Sequence, residues 1–391
     1  MSTSNLILDK GENMQRRYAT QGILDLGQAE SLVSKMIYSV EGISNCFLDE
    51  DTQEMVVGLT SQSDFALIDR TFESLLHLEK KHRTFRHRIY KQSNVTNYSN
   101  KKLHDDVDII FAEDGTARRD FAVLLFDILD LYFYKIACRH GALLRQYPAM
   151  VSVQTLEKCN YIHSFPQNIH LVSEIPHKLD VLECVKTTDR LEEITRLSKY
   201  ALSPAICFHC YEELTGSRLS QSLVLTARGL CSRHEATWRL GKHRLNNFSM
   251  REIVLFGTDA FVESIRRSCM DEAWQLFESF GLEGRIETAS DPFYFSEDTA
   301  KGQHQLMANK KYELIVTIGS EVFSIASFNH MGNTLCKPFD ICDTNNKFLN
   351  SGCIGFGIDR WVYALLKTYG TQLESWPQLF QDKIALIQNT V

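Results

Sequence analysis

The stretch SGCIGFGIDRWVYALLKTYG, residues 351–370, puts a hard limit on what the chain can be. A glycine-spaced turn running into an apolar helix has the outline of a dinucleotide-binding turn. That turn needs a strand before it, a third glycine, and a long βαβ unit after it. Arg360 stands where the third glycine belongs, and only 31 residues follow it. A dinucleotide fold built on this turn is therefore not expected. Two readings are left: a structural cysteine in a tight turn, or a site that uses both the Cys353 thiolate and the Arg360 guanidinium.

A chain of 391 residues is long enough for two domains and a sizeable core. With 44% hydrophobic residues, 7 prolines and a net charge of −7, it has an ordinary folded composition and not that of a general nucleic-acid binder. The first residues show no basic region leading into an apolar run, and no window approaches a membrane span. A cytoplasmic protein without membrane contact is expected. The 11 cysteines are irregularly spaced, which argues against a disulfide framework. Cys138, Cys159, Cys184 and Cys269 lie in apolar or helical stretches and read as small buried hydrophobes. Cys207, Cys210, Cys231 and Cys353 lie beside polar chemistry.

The expected fold class is α+β: a mainly antiparallel sheet flanked by helices, preceded by a small ferredoxin-like module. The division is residues 1–104, an N-terminal α+β module with a basic linker, and residues 105–391, a second, larger domain. In the module, GILDL reads as a strand, AESLVSKMIYSV as a helix, GISNCFLDEDTQEMVVGLT as a hairpin and DFALIDRTFESLLHLEKK as a second helix. The linker, residues 79–102, has eight Lys or Arg against one acid; it reads first as a solvated helix end and loop, and as a docking patch it would suit an acidic partner. In the second domain a long apolar helix begins near DGTARRDF. YPAMVSVQTL and HSFPQNIHLVSEI read as extended, 189–200 as a helix, and 221–228, 252–257, KYELIVTI and EVFSIASFN as strands. DAFVESIRRSCMDEAWQLFESFG is a helix between them.

Three constellations carry chemistry. Arg233 and Glu235 are two apart, so a strand would point both to one face, and the loop after them carries Arg239, Lys242, His243 and Arg244. A guanidinium can take a phosphate and a carboxylate can accept from an exocyclic amine; a same-face salt bridge explains the pair equally well. In EVFSIASFN, Glu321, Ser327 and Asn329 offer hard oxygen ligands if they share a face. The third constellation is Arg360 at a helix start, placed for a bound anion.

Together these segments resemble a class II aminoacyl-tRNA synthetase. Arg233-x-Glu235 with its loop and FSMREIV resembles motif 2, and GFGIDR with its helix resembles motif 3. YPAMVSVQTLEKCNYIHSFPQ, SDPFYF, KKYELIV and SFNHMG are similar to corresponding places in the amino acid:[carrier protein] ligases, truncated relatives of the atypical archaeal seryl-tRNA synthetases. The likeness covers about residues 105–375.

The resemblance implies ATP-dependent activation of an amino acid on an antiparallel sheet. Carried over, Arg233 meets the α-phosphate, Glu235 the adenine amine and Arg360 the γ-phosphate, with both arginines catalytic. Arg244, Leu245, Ser324, Ser327 and Asn329 complete the implied ATP site, and Glu321 is the carboxylate that positions Mg2+ and phosphates. The family also holds zinc through two cysteines and a glutamate, with a fourth position open for the substrate amine; here these are Cys207, Glu252 and Cys353. Glu252, Cys353, Asp291 and Phe293 would form the amino-acid site. A rival reading groups Cys207, Cys210, Cys231 and His234 as a closed structural zinc site.

The implied product is an aminoacyl-adenylate of a small amino acid, glycine or alanine before serine, passed to the phosphopantetheine thiol of a carrier protein. The implied assembly is a homodimer. The N-terminal module departs from the truncated ligases and reads differently from the archaeal tRNA-binding domain, so tRNA is not the expected acceptor. The alternative is a seryl-tRNA synthetase-like enzyme. Asp359 departs from the family's usual glutamate, and no clear motif 1 is legible beyond residues 147–166.

Overall fold

The computed structural model describes residues 5–8, 14–49, 51–80, 87–94, 103–104, 118, 121–241, 243–289 and 310–388. Met1–Arg88, Glu235–Leu240 and Ala289–Asn309 form one unit; Ile89–His234, Gly241–Thr288 and Lys310–Val391 form the other. Among the described residues no helix is long and apolar enough to cross a membrane.

In the first unit, strands β1 (Asn5–Leu8), β2 (Met14–Ala19), β3 (Ile43–Leu48) and β4 (Glu54–Leu59) make an antiparallel sheet in the order β1-β2-β4-β3. Helices α1 (Leu26–Ile37) and α2 (Phe65–Glu79) share its core of Tyr18, Leu32, Met36, Met55, Val57 and Phe72. The chain order β2-α1-β3-β4-α2 is that of a split βαβ unit, and the place beside β2 is filled by β1 from the N-terminal side. GILDL is not a strand. The carbonyl of Thr20 accepts from Ile23 and Leu24 in a turn, and Asp25 caps α1 in a reciprocal capping box with Gln28.

The second unit is built on eight strands in the order β5-β13-β14-β15-β17-β12-β11-β6. They are β5 (Ile89–Gln92), β6 (Leu143–Arg145), β11 (Leu223–Ser232), β12 (Asn247–Gly257), β13 (Glu283–Thr288), β14 (Lys311–Ile318), β15 (Glu321–Gly332) and β17 (Asn350–Gly357). All neighbours are antiparallel except β6 with β11. Strand β5 lies within the stretch read as a basic linker. A three-stranded sheet joins β7 (Met150–Ser152), β8 (Leu171–Glu174) and β9 (Arg196–Leu202), and β10 (Arg218–Leu219) pairs in parallel with β16 (Cys342–Asp343).

Helices α3 (Phe121–Arg139), α8 (Asp259–Ser279) and α9 (Ile358–Tyr369) cover one face of the large sheet through Leu125, Phe133, Trp274, Phe277, Trp361 and Leu365. The other face meets α7 (Cys207–Glu213), with Phe208, Tyr211, Leu225, Val254, Phe256 and Phe339 in a second core. Gly370, at φ 68°, ends α9 in a conformation that favours glycine.

Between residues 150 and 200 the expected elements change. Val153–Lys158 (α4) is helical where an extended segment was expected, because the Ser152 hydroxyl accepts from the Thr155 amide and starts a helix, and Tyr161–Ser164 (α5) adds a further short helix. α6 (Leu179–Cys184) is a further short helix. The helix expected over 189–200 is a 3-10 turn, Leu191–Glu193, followed by β9, whose pairing with β7 and β8 overrides a helical charge pattern. Two cysteines read as buried are exposed: Cys138 in the last turn of α3 and Cys184 at the end of α6. Cys269 is buried as expected, and Cys159 is half-buried.

On the helix side, Arg251 of β12 makes a bidentate pair with Asp130 of α3, Nε to Oδ1 at 2.5 Å and one terminal nitrogen to Oδ2 at 2.8 Å. Both side chains are buried, so removing one partner leaves an uncompensated charge. Asp130→Ala is expected to lower stability by about 3–5 kcal/mol in urea unfolding, while the double change Asp130→Leu with Arg251→Met recovers most of that loss.

Candidate active site

Directly paired residues share a sheet face, so the strand register alone assembles two rows on the side away from the three helices. One row holds Ala227, Glu252, Gly355, Ser327 and Glu313; the next holds Leu225, Val254, Cys353, Asn329 and Lys311. Glu252 and Cys353 are thus one step apart along β12 and β17. Helix α7 brings Cys207 over them. The three donor atoms lie within 4.8 Å of one another, and they are the one such group of three among the described residues.

Glu252 is 1% exposed. Its Oε2 accepts from the Cys207 amide at 2.7 Å and from the Cys353 thiol at 3.2 Å, and Oε1 accepts from the Ile206 amide at 3.3 Å. Burial raises the Glu252 carboxyl despite these donors. The hydrogen bond with Cys207 and burial hold the Cys353 thiol well above its usual range. For Cys207, the hydrogen bond from Cys353 favours the thiolate, but burial and the Glu252 charge outweigh it and the thiol is also raised. Three acidic groups in one dry pocket need a cation to ionise together. Two sulfurs and a carboxylate suit zinc, and three protein donors leave a position open. The rival set does not come together: His234 lies against the His170 ring, centroids 5.3 Å apart, and Cys210 and Cys231 stay outside the three-donor group.

Strand β11 ends at Ser232, so the period-two argument does not reach Arg233 and Glu235. Arg233 crosses the Phe248 ring at 5.2 Å and donates through Nε to the Pro204 carbonyl at 3.0 Å. Glu235 falls in the first unit, where the Tyr38 hydroxyl meets its Oε2 at 2.9 Å. Arg360, at the start of α9, donates through Nε to the His243 carbonyl at 2.9 Å and through a terminal nitrogen to the Ser324 carbonyl at 2.8 Å. It therefore joins the loop after β11 to strand β15. Arg244 closes a small bridge with Gly241, and Leu245 is buried.

The oxygen ligands of β15 do not all share a face. Leu314 pairs with Ala326 but Ile315 pairs with Ser324, so Ile325 is an extra residue and the phase of the strand reverses there. Ser324, Ser327 and Asn329 lie on the Glu252 side, and Asn329 donates to Ser327 Oγ and to the Cys353 carbonyl, each at 3.3 Å. Glu321 lies on the helix side, where the Tyr363 hydroxyl is 2.8 and 3.0 Å from its two oxygens. Asp291, Phe293 and Lys242 lie outside the described residues.

Two contributors had not been singled out from sequence. Phe248 lies under Arg233, and Tyr363 is three residues after Arg360, a spacing that puts both on one side of a helix. Asp359 receives Arg118 and the Ser249 amide, the latter at 2.6 Å, which ties the start of α9 to β12. His243, expected as one of several loop cations, is stacked on Phe323 at 4.4 Å and pushed down to about 4 by burial, with Arg360 and Arg244 adding to the fall and Glu321 opposing it.

No protein-family model matches the chain. Amino acid--[acyl-carrier-protein] ligase 1 of Bradyrhizobium diazoefficiens is 30% identical over 249 residues, covering 62% of this chain and 76% of that protein. The chain belongs to the amino acid--[acyl-carrier-protein] ligase family. Type-2 serine--tRNA ligase of Methanococcus aeolicus is 28% identical over 265 residues, covering 62% of this chain, which spans only 50% of that protein's length. In fold, this ligase-family chain is similar to M. kandleri seryl-tRNA synthetase, crystallised with A. aeolicus tRNASec. The TM-score is 0.66 at 18% identity, covering 93% of this chain and 76% of that one. It is also similar to the Pyrococcus horikoshii seryl-tRNA synthetase complexed with ATP, at TM-score 0.54 and 15% identity over 71% of this chain and 62% of that one.

In this ligase, His243 is neutral in the fold down to about pH 4, whereas an unfolded imidazole takes its proton near 6.5. Stability is therefore lost as pH falls through that window. His243→Phe, which keeps the stack and removes the titration, is expected to flatten the dependence of the urea midpoint on pH between about 4 and 6.5.

Proposed function

We propose that the chain activates a small amino acid, glycine or alanine before serine, as its aminoacyl-adenylate and transfers it to the phosphopantetheine thiol of a carrier protein. The observation that carries this reading is the meeting of Cys207, Glu252 and Cys353 beside Ser327 and Asn329, within a chain similar in sequence to a ligase of that name. In the first step a carboxylate oxygen of the amino acid attacks the α-phosphorus of ATP and pyrophosphate leaves. In the second the carrier thiol sulfur attacks the acyl carbon, AMP leaves with the bonding electrons, and the thiol proton passes to solvent.

Arg233 and Arg360 are the fixed cations for the α- and γ-phosphates, where charge builds in the transition state. Main-chain carbonyls aim both guanidinium planes, so little reorganisation is needed at the moment of reaction. Glu235 accepts from the adenine amine, while Arg244, Leu245, Ser324, Ser327 and Asn329 line the nucleotide. Glu321, steadied by Tyr363, holds magnesium. Cys207, Glu252 and Cys353 hold zinc, which when bound supplies a Lewis-acidic position for the substrate α-amino nitrogen. Asp291 and Phe293 belong to the amino-acid side of the site.

Pyrophosphate exchange screened amino acid by amino acid, followed by transfer to a phosphopantetheinylated carrier or to total tRNA, tests this. Exchange with glycine or alanine and label on the carrier are expected; label on tRNA alone would make the serine--tRNA ligase reading the correct one. Cys353→Ala is expected to lose the bound zinc by elemental analysis and nearly all exchange while keeping its circular-dichroism spectrum, and full exchange in a zinc-free variant would refute the metal's role.

The proposed assembly is a homodimer. Strand β6 ends the large sheet with Leu143 and Leu144 half exposed, and α3 presents Val123 and Leu131 outward, leaving an apolar edge that a second copy would cover. Leu144→Arg is expected to shift the sedimentation coefficient from dimer to monomer without unfolding the chain.

A further inference from the structure

Helix α7 has 7 residues, under two turns, and the amides of Ile206 and Cys207 that meet Glu252 hold only its beginning. Its far end is held by a second buried contact. The Tyr211 hydroxyl donates to Ser351 Oγ at 2.9 Å, and both residues are fully buried. The Tyr211 ring is packed edge-on against Phe256, centroids 5.2 Å apart, with Phe339 at 5.9 Å, so the hydroxyl has a fixed direction. The Ser351 hydroxyl in turn donates to the Gly332 carbonyl at 3.3 Å, which gives each of the two protons an acceptor.

Two spacings coincide here. Tyr211 is four residues after Cys207, a rise of about 6 Å along a helix. Ser351 is two residues before Cys353, on the same face of β17 and about 6.6 Å away along a strand. Helix and strand therefore meet at two rungs of nearly equal spacing: Cys207 with Cys353, hydrogen-bonded through their sulfurs, and Tyr211 with Ser351. A single rung is a pivot about which a short helix can turn. Two rungs fix both its rotation and its position along the strand. Stepping the helix by one residue would swing its side chains by about 100° and carry the Cys207 sulfur away from Glu252 and Cys353.

We infer that Tyr211 and Ser351 are positioning residues for the metal site: their hydrogen bond sets α7 in register on β17, so that the Cys207 sulfur stands beside Cys353 and Glu252 before the ion arrives. This rests on the reading of those three residues as zinc ligands made above. Neither hydroxyl is a ligand. The bond acts on affinity because three donors already in place need little further ordering when the ion binds.

Zinc binding to the metal-free full chain, measured by competition with a chromophoric chelator, tests the inference without requiring turnover. Tyr211→Phe, which keeps the ring and removes only the hydroxyl, should weaken zinc binding by roughly three- to tenfold, and Ser351→Ala should do the same. Because the two groups make one bond, the double variant should bind no more weakly than the worse single variant; losses that add would overturn the pairing. A role in folding alone would lower the melting temperature of the metal-free chain and leave its zinc affinity at the parent value. That result in both single variants, with zinc lost in Cys353→Ala, would overturn this inference and leave the ligand assignment intact. Parent-like zinc binding in Cys353→Ala, or a parent that binds no zinc, would overturn both.

Discussion

The buried carboxylate of Glu252 is the group on which the site depends. A carboxylate in so dry a place is costly unless its oxygens are met, and they are met by two consecutive amides, Ile206 and Cys207, and by the Cys353 thiol. Those partners come from two distant parts of the chain. Satisfying one group therefore fixes the start of α7 over the junction of β12 and β17. The same contacts set two sulfurs beside the carboxylate, so the needs of folding and the geometry of the candidate cation site are met by the same atoms.

Much of this was legible in the sequence, for physical reasons that differ from residue to residue. The failed dinucleotide turn correctly gave a strand leading into a helix, because the apolar spacing of α9 and the glycines before it leave few alternatives. The antiparallel sheet was legible in part from KYELIVTI and EVFSIASFN, apolar strands with no room for a crossover helix between them. The grouping of Cys207 with Glu252 and Cys353 came from likeness to a family and not from spacing, since the three lie on separate elements. What could not be read was set by long-range pairing: 189–200 has the charges of a helix and becomes the middle strand of a small sheet, and α4 begins because of one serine hydroxyl. The hairpin of the N-terminal module was visible, while its first strand was misplaced because Asp25 serves as a helix cap rather than a strand residue.

The bulge at Ile325 shows why alternation alone misassigns a face. Up to that residue, Phe323 and Ile325 point into the helix-side core; beyond it, Phe328 does, and the polar residues change sides with the phase. Glu321 is thereby separated from Ser327 and Asn329, and Ser324 joins them. The carbonyl of Ser324, at the bulge, is also one of the acceptors that hold Arg360. A local irregularity in one strand thus sets both the side-chain lining and the aim of a guanidinium.

Strand β12 carries Arg251 toward Asp130 on one face and Glu252 toward two cysteines on the other, in adjacent positions. A shift of its pairing by a single residue would exchange the two, setting a guanidinium among the thiols and a lone carboxylate against another acid. Few alternative alignments of a central strand are penalised so heavily from both sides. The charged pair behind the sheet thus guards the register of the groups in front of it: a chain that closed this strand one residue out would have neither a sound core nor the same pocket.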